Sequence, residues 1–482
     1  MKIAFLSMPL SGHLNPMTAL ARRLQSRGHD IVFIGVPDVE FFARAADLNF
    51  VPFCEQEYPA GSTSRAWGEV AKRHGLDVVL HTTQHLMPVL LKAALERLPE
   101  KLAETDVEAL VLDTTYLFLG LVPMRLGMPY VHIWNFLHID LSGVTPACFF
   151  SWPYDTTQEG ISRNLGGLKW VGELFGPALA IAKPYAERVG LEIDWSDPAA
   201  TTSKLAVISQ TPKEFDFPNP SWPVQFHYAG PFYDDGGREP IPFPWEKLSG
   251  KPLIYASLGT LVNGLEHVYR AILGAVGRLS DVEVVLSIGK NIHLNDLGPF
   301  PSNTLVVRHA PQIQLLKRAS LCITHAGLNT ALESLAQGVP MVAIPIGYDQ
   351  PGVAARIAHH RTGEFLDVAD LTVAGLSKMI QQVHTNPSYR AKARYFQKVI
   401  AQTRGLDVAA GVIEHAFGAN HDGDSAANSG ELCTREVKED RLIRRSSNES
   451  PAGVQSAASK TEPRTQSVLA FRESSLGSSR SF

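Results

Sequence analysis

Between His309 and Gln350 the chain gathers polar side chains at spacings that suit phosphate and polyol binding. His325 and Gly327 fall in a turn, and Asn329 and Thr330 follow in what reads as the first turn of a helix, where free N–H groups and the helix dipole favour an anion. Glu333 lies four residues past Asn329 and three past Thr330, on the same helix face. A carboxylate one turn below a phosphate suits a pair of sugar hydroxyls. Asp349 and Gln350, after the next strand, can accept and donate hydrogen bonds to a second, neutral polyol. Phosphate, ribose and sugar together describe a nucleotide-sugar. Taken singly, each residue has an ordinary use: Asn, Thr and Glu cap helices, and Gly-Val-Pro is turn chemistry. The reading rests on their combination over 42 residues.

A second constellation sits near the start of the chain. Ser11-Gly12-His13-Leu14-Asn15-Pro16 places His13 in a loop (9–14) at the carboxyl end of a first strand, just ahead of a helix that opens at Pro16. The positive end of that helix would disfavour an imidazolium and keep the ring neutral, a form that can act as a base. A base needs an orienting acid, and Ala109-Leu110-Val111-Leu112-Asp113 reads as a buried strand ending in a carboxylate at the same end of the sheet. The plain alternatives are a loop histidine bonded to backbone and an aspartate capping a helix before Thr114.

These residues need α/β elements to hold them. Around the first constellation the pattern predicts a strand over 2–8, a helix from Pro16 to Arg27 stopped by Gly28, and a strand from Ile31 to Val36. Around the other it predicts a helix from Gln312 to Arg318, a strand from Leu321 to Thr324, a helix reaching Gln337 and a strand from Val339 to Pro345. Neither G-x-G-x-x-G nor G-x-x-x-x-G-K-[ST] occurs at the first turn, so neither a nicotinamide cofactor nor a P-loop is supported. With 482 residues, two domains are expected. The last strand of the first is read at Lys204–Ser209, and the second opens at Leu253–Ser257, followed by Leu258-Gly259-Thr260.

Composition narrows the field. A net charge of −4 with no basic block in the predicted domains gives no footprint for nucleic acid. Four cysteines, Cys54, Cys148, Cys322 and Cys433, have neither zinc-site nor disulfide-framework spacing, which points to a reducing, cytoplasmic compartment. The apolar region from Leu117 to Phe150 is interrupted by Pro123, Arg125, Gly127, Pro129, His138 and Asp140, so no transmembrane helix is expected, although peripheral contact with a membrane is compatible with the sequence.

The stretch T-H-A-G-L-N-T-A-L-E-S-L-A-Q-G-V-P, followed by D-Q-P-G-V-A-A-R-I, resembles the donor signature of the family 1 UDP-dependent glycosyltransferases, and especially the bacterial branch that includes zeaxanthin glucosyltransferases. The resemblance implies a GT-B fold, α/β, with two Rossmann-like parallel-sheet domains facing across a cleft. It divides the chain into an acceptor-binding domain (1–231), a nucleotide-sugar domain (249–402) and a helix returning to the first domain (403–418), while composition marks a linker (232–248) in the stretch rich in Pro, Gly and Asp and a Ser-rich disordered tail (419–482). It implies His13 as catalytic base with Asp113 on its far nitrogen. The donor would be held by Thr260, His309, Ala310, Gln312, His325, Gly327, Asn329, Thr330, Glu333, Asp349 and Gln350. Many members carry W-x-P-Q, with the Trp stacked on uracil, where this chain has His309-Ala310-Pro311-Gln312.

Segments 55–95 and 134–175, rich in aromatics, Met and His, would line an acceptor pocket, with His81, Met87, Trp134, Phe136 and Phe149 as candidates, while most of their neighbours serve as core. The implied partners are UDP-glucose and a lipophilic alcohol or phenol, with no metal or other cofactor, in an inverting transfer that leaves a β-glycoside. Two rival functions stand beside it. A UDP-sugar epimerase needs no acceptor, and an inactive glycosyltransferase-like activator usually loses the base or the donor residues, which here remain.

Overall fold

The computed structural model describes residues 1–219, 222–232 and 240–419. Short runs of three to six residues, most of them apolar, form two parallel sheets. The first has the order β3-β2-β1-β4-β5-β6-β7, with β1 Lys2–Leu6, β2 Asp30–Gly35, β3 Asn49–Pro52, β4 Ala109–Asp113, β5 Tyr130–Trp134, β6 Val207–Ser209 and β7 Phe226–Tyr228. The second has the order β10-β9-β8-β11-β12-β13, with β8 Leu253–Ser257, β9 Glu283–Ser287, β10 Thr304–Val307, β11 Ala319–Thr324, β12 Met341–Ala343 and β13 Gly363–Phe365. Every pairing is parallel. Strands buried on both faces read as unbroken apolar stretches, which is why Ala109–Asp113 and Leu253–Ser257 were legible.

In each sheet the strand order reverses once, between β1 and β4 in the first and between β8 and β11 in the second. Such reversals leave a crevice outside the carboxyl ends of the strands, where α/β folds bind ligands. His13 follows β1 and Asp113 ends β4; Thr260 follows β8 and His325 follows β11. Both constellations therefore sit at switch points.

One core fills the first lobe, and it includes Ala409, Ala410 and Ile413 of the helix Gly405–Ala416. Arg27 and His29 both bond Glu414 on that helix, and Arg23 bonds its Asp407. Two cores cover the faces of the second sheet, and each takes in residues from the first half of the chain: Val70, Val78 and Val79 on one side, Leu137, Cys148 and Phe215 on the other. Between the lobes lies a buried ion cluster in which Asp216 receives Arg356, His138, Tyr228 and the Phe217 N–H. No described helix is long and apolar enough to cross a membrane.

Several boundaries differ from expectation. The first helix spans Ser11–Ser26, so His13 lies in its first turn and not in a preceding loop, and Pro16 lies inside it. The first lobe ends its sheet with Phe226–Tyr228, a three-residue edge strand hidden in a Pro-rich stretch, not with Lys204–Ser209. Most of the expected tail, 420–482, and residues 233–239 of the expected linker lie outside the described residues.

Candidate active site

His13 and Asp113 are brought together. His13 Nδ1 lies 2.8 Å from Asp113 Oδ2, and the carboxylate is wholly buried while the imidazole keeps 16% of its surface. Thr115, two residues past the aspartate, donates both its N–H and its hydroxyl to Asp113 Oδ1 at 3.0 and 2.7 Å, and the same hydroxyl lies 3.3 Å from His13 Nδ1. The Met8 N–H reaches Oδ2 at 3.3 Å. Asp113 thus closes a local Asx turn and holds the ring as well; the next helix begins only at Leu121 with Gly120 at its N-cap, so Asp113 caps no helix.

Burial works against a charged His13, but the Asp113 carboxylate, by charge and by hydrogen bond, and Asp349 at longer range outweigh it, so its pKa is raised above the ordinary histidine value. The direction is opposite to the expectation of a ring depressed by the helix dipole, and the two carboxylates set it. Asp113 itself is held low; burial pushes it up, and His13 and the Thr115 bonds more than reverse that.

The second lobe presents the helix Leu328–Ala336, whose start no side chain caps. Its first-turn N–H groups face the turn His325-Ala326-Gly327. Ala326 holds φ 64°, a left-handed conformation that costs a non-glycine residue about 1 kcal/mol or more, with its N–H bonded to the Thr324 hydroxyl at 3.1 Å. His325 is buried, and burial draws it down to about 4, which leaves it neutral. Its ring is sandwiched by two glycines: a Cβ on Gly259 would lie 2.6 Å from Cε1, and one on Gly327 would lie 2.5 Å from Nε2.

Below this turn, Gln312 Nε2 donates to Glu333 Oε2 at 2.6 Å, and its Oε1 accepts from the Tyr255 hydroxyl at 3.1 Å, so Gln312 braces Glu333. Thr330 Oγ1 sits 3.4 Å from the same amide nitrogen. Ala310 is core, and His309 is exposed. Asp349 accepts the Leu137 N–H of the first lobe at 2.9 Å, and burial keeps its carboxyl above the usual range. Gln350 turns back to accept the Ile346 and Gly347 N–H groups.

Asn329, expected to face a phosphate, instead spends its side chain across the cleft. Its Nδ2 donates to the Gly12 carbonyl at 2.6 Å and its Oδ1 accepts from Gln210 at 2.8 Å. Thr260 Oγ1 lies 2.6 Å from Ser11 Oγ, also across the cleft. The two constellations therefore face one crevice.

Of the expected acceptor residues, Phe136 lies beside the dyad, its ring 6.0 Å from that of His13, with Trp134 4.7 Å further along. Met87 lines a small apolar hollow with Met8, Leu90, Leu91, Tyr116 and Thr115. Phe149 packs against both cores of the second lobe, and the His81 ring lies 5.1 Å from that of His85 at the end of the helix that carries Val78 and Val79. Thr115 and Gln210 were missed. The pattern Asp-x-Thr is a turn signal that points to the former, whereas nothing in local sequence marks Gln210. Among the described residues no group of three or more His, Cys, Asp or Glu could hold a metal ion.

The family model described as UDP-glucoronosyl and UDP-glucosyl transferase matches residues 191–423. The zeaxanthin glucosyltransferase of Pantoea ananas is 26% identical over 427 residues, covering 86% of this chain and 95% of that protein. The NDP-glycosyltransferase YjiC of Bacillus subtilis is 27% identical, over 86% and 96%. The crystal structure of the kitacinnamycin glycosyltransferase superposes with a TM-score of 0.63 at 22% identity, covering 86% of this chain and 98% of that one, a likeness of fold. Two facing Rossmann-like lobes give this chain the GT-B fold, and its matched donor half, with the likeness to two glycosyltransferases over 86% of its length, makes it a transferase enzyme that resembles the family 1 glycosyltransferases.

Proposed function

We propose that the chain is an inverting UDP-glycosyltransferase that moves glucose from UDP-glucose to a hydroxyl of a lipophilic small molecule, leaving a β-glycoside. The observation that carries the reading is the 2.8 Å His13–Asp113 pair, opening onto the same crevice as the uncapped helix of the second lobe. In this reading His13 Nε2 takes the proton of the acceptor hydroxyl while Asp113 holds Nδ1 and stabilises the imidazolium. The oxygen attacks the anomeric carbon from the face opposite the diphosphate. Charge developing on the diphosphate is met by the N–H groups at the start of Leu328–Ala336, by His325 and by Thr330, without a metal ion. Glu333 accepts the ribose hydroxyls, which favours UDP over a deoxyribose donor, and His309 stacks on the base. Asp349 and Gln350 hold the sugar.

A relative whose name gives glucosyl transfer to zeaxanthin supports glucose as the sugar and a lipophilic hydroxyl as the acceptor. Phe136 beside His13, Trp134 against Phe136, and Met87 in the hollow that Thr115 also lines would supply apolar surface for such a molecule. A cytoplasmic setting, argued from the cysteine pattern, is part of the proposal. The test is a panel of hydroxylated lipophiles with UDP-glucose, read by mass, run on the native chain and on His13→Ala. Native chain that adds one hexose, and a variant that adds none yet still binds UDP, support the reading; normal turnover by His13→Ala overturns it.

A further inference from the structure

We propose that Gln210 and Asn329 are positioning residues, a hydrogen-bonded latch that sets the register of the His13 helix against the donor lobe. Gln210 Nε2 donates to the Asn135 carbonyl at 2.6 Å and to Asn329 Oδ1 at 2.8 Å; Asn329 Nδ2 donates to the Gly12 carbonyl at 2.6 Å. Both ends of this relay are backbone carbonyls, which only accept. The two amides between them can therefore point only one way, with each nitrogen donating onward. The relay joins the carboxyl ends of β5 and β6 to the first turn of Leu328–Ala336 and from there to the residue next to His13. Ser11 and Thr260 make a second strut in parallel.

Pro16 explains why the Gly12 carbonyl is free. In a regular helix that oxygen accepts the N–H of residue 16, but Pro16 has none and its ring pushes the carbonyl outward. A proline inside the helix, costly on its own, exports an acceptor to the other lobe one residue from the base. Gln210 is 2% exposed, so little water reaches its side chain to replace a lost partner. Asn329 thus serves the donor site through its main-chain N–H at the helix start and serves the base through its side chain.

The inference rests on His13 being the base, and the experiment separates the two. Gln210→Glu keeps the shape and removes the donors in its ionised form; Gln210→Met keeps the shape and removes polarity, and stands in if the first variant does not fold. For either, kcat should fall by ~10-fold or more, the scale of a sub-ångström to 1 Å misplacement, while the Kd for UDP stays within about threefold and KM for UDP-glucose moves less than kcat. His13→Ala is run beside them. If His13→Ala is inactive but both Gln210 variants keep kcat within twofold, the latch is wrong and the base assignment stands. If His13→Ala is active, the base assignment itself fails. Equal loss of UDP affinity and kcat would make Gln210 a donor-site residue and overturn the latch as well.

Discussion

Replacing Asp113 with asparagine tests the dyad at its most constrained point. In the native chain Oδ2 receives His13 Nδ1 at 2.8 Å and the Met8 N–H at 3.3 Å, while Oδ1 receives the Thr115 N–H at 3.0 Å and its hydroxyl at 2.7 Å. A carboxylate accepts on both edges; an amide accepts on one. If its NH2 faces Thr115 it opposes a backbone N–H that cannot turn away. If it faces His13 it opposes Met8, and it also obliges Nδ1 to accept, which puts the ring proton on Nε2, where the acceptor's proton must arrive. One buried donor is left unsatisfied either way, at about 1–3 kcal/mol of stability. Loss of the counter-charge and of the correct tautomer should lower kcat by ~10³–10⁴-fold.

The pH profile supplies an independent sign. Native His13 is raised because Asp113 and Asp349 outweigh burial. Without the Asp113 charge burial gains the upper hand, the ring pKa falls, and the acid limb of kcat/KM moves to lower pH, since activity is lost as pH falls through that pKa. Initial rates of UDP release between about pH 5 and 9, with urea unfolding of the same samples, measure all three effects. A kcat within tenfold of native, or an acid limb that stays in place or rises, would refute the reasoning.

Glu333→Ala should weaken UDP binding by ~10-fold through lost ribose contacts; calorimetry that finds native affinity removes Glu333 from the site. Gly327→Ala drives a Cβ to 2.5 Å from the His325 ring, so it should cost about 1–3 kcal/mol in urea unfolding and weaken UDP binding with it. Arg356→Met leaves Asp216 charged and buried without its guanidinium and should cost about 3–5 kcal/mol. In the native chain burial pushes Asp216 up, but Arg356 and His138 hold it far below the carboxylate range. A depressed carboxyl stabilises the fold above its unfolded value, ~3.9, and that contribution drains away as pH falls below it; a stability curve flat below about pH 4 would contradict this.

What could be read from the chain and what could not follow from the range of the forces involved. Strands such as Ala109–Asp113 and Leu253–Ser257 are buried on both faces and announce themselves as apolar runs, and their polar last residues mark the ligand edge. The start of the first helix was misplaced because Pro16 obeys a local rule, proline at the opening turn, that a tertiary contact overrides: the carbonyl it frees has a partner 317 residues away in Asn329. Gln210, Arg356 and Asp216 act only through such distant pairings, so no spacing betrays them. The aromatic segments could be assigned to pocket or packing only once Phe136 was seen against His13 and Phe149 against the second lobe.

The helix Gly405–Ala416 belongs to the lobe that the ribosome makes first, although it is synthesised after the whole of the other. Ala409, Ala410 and Ile413 fill a gap in a core otherwise drawn from residues 3 to 232. During translation that gap must stay open, apolar and wet, while more than a hundred and fifty intervening residues emerge and build a second sheet. The nascent first lobe is therefore an unfinished vessel awaiting its lid, and the interval before residue 416 clears the exit tunnel is when the chain is most in need of a chaperone.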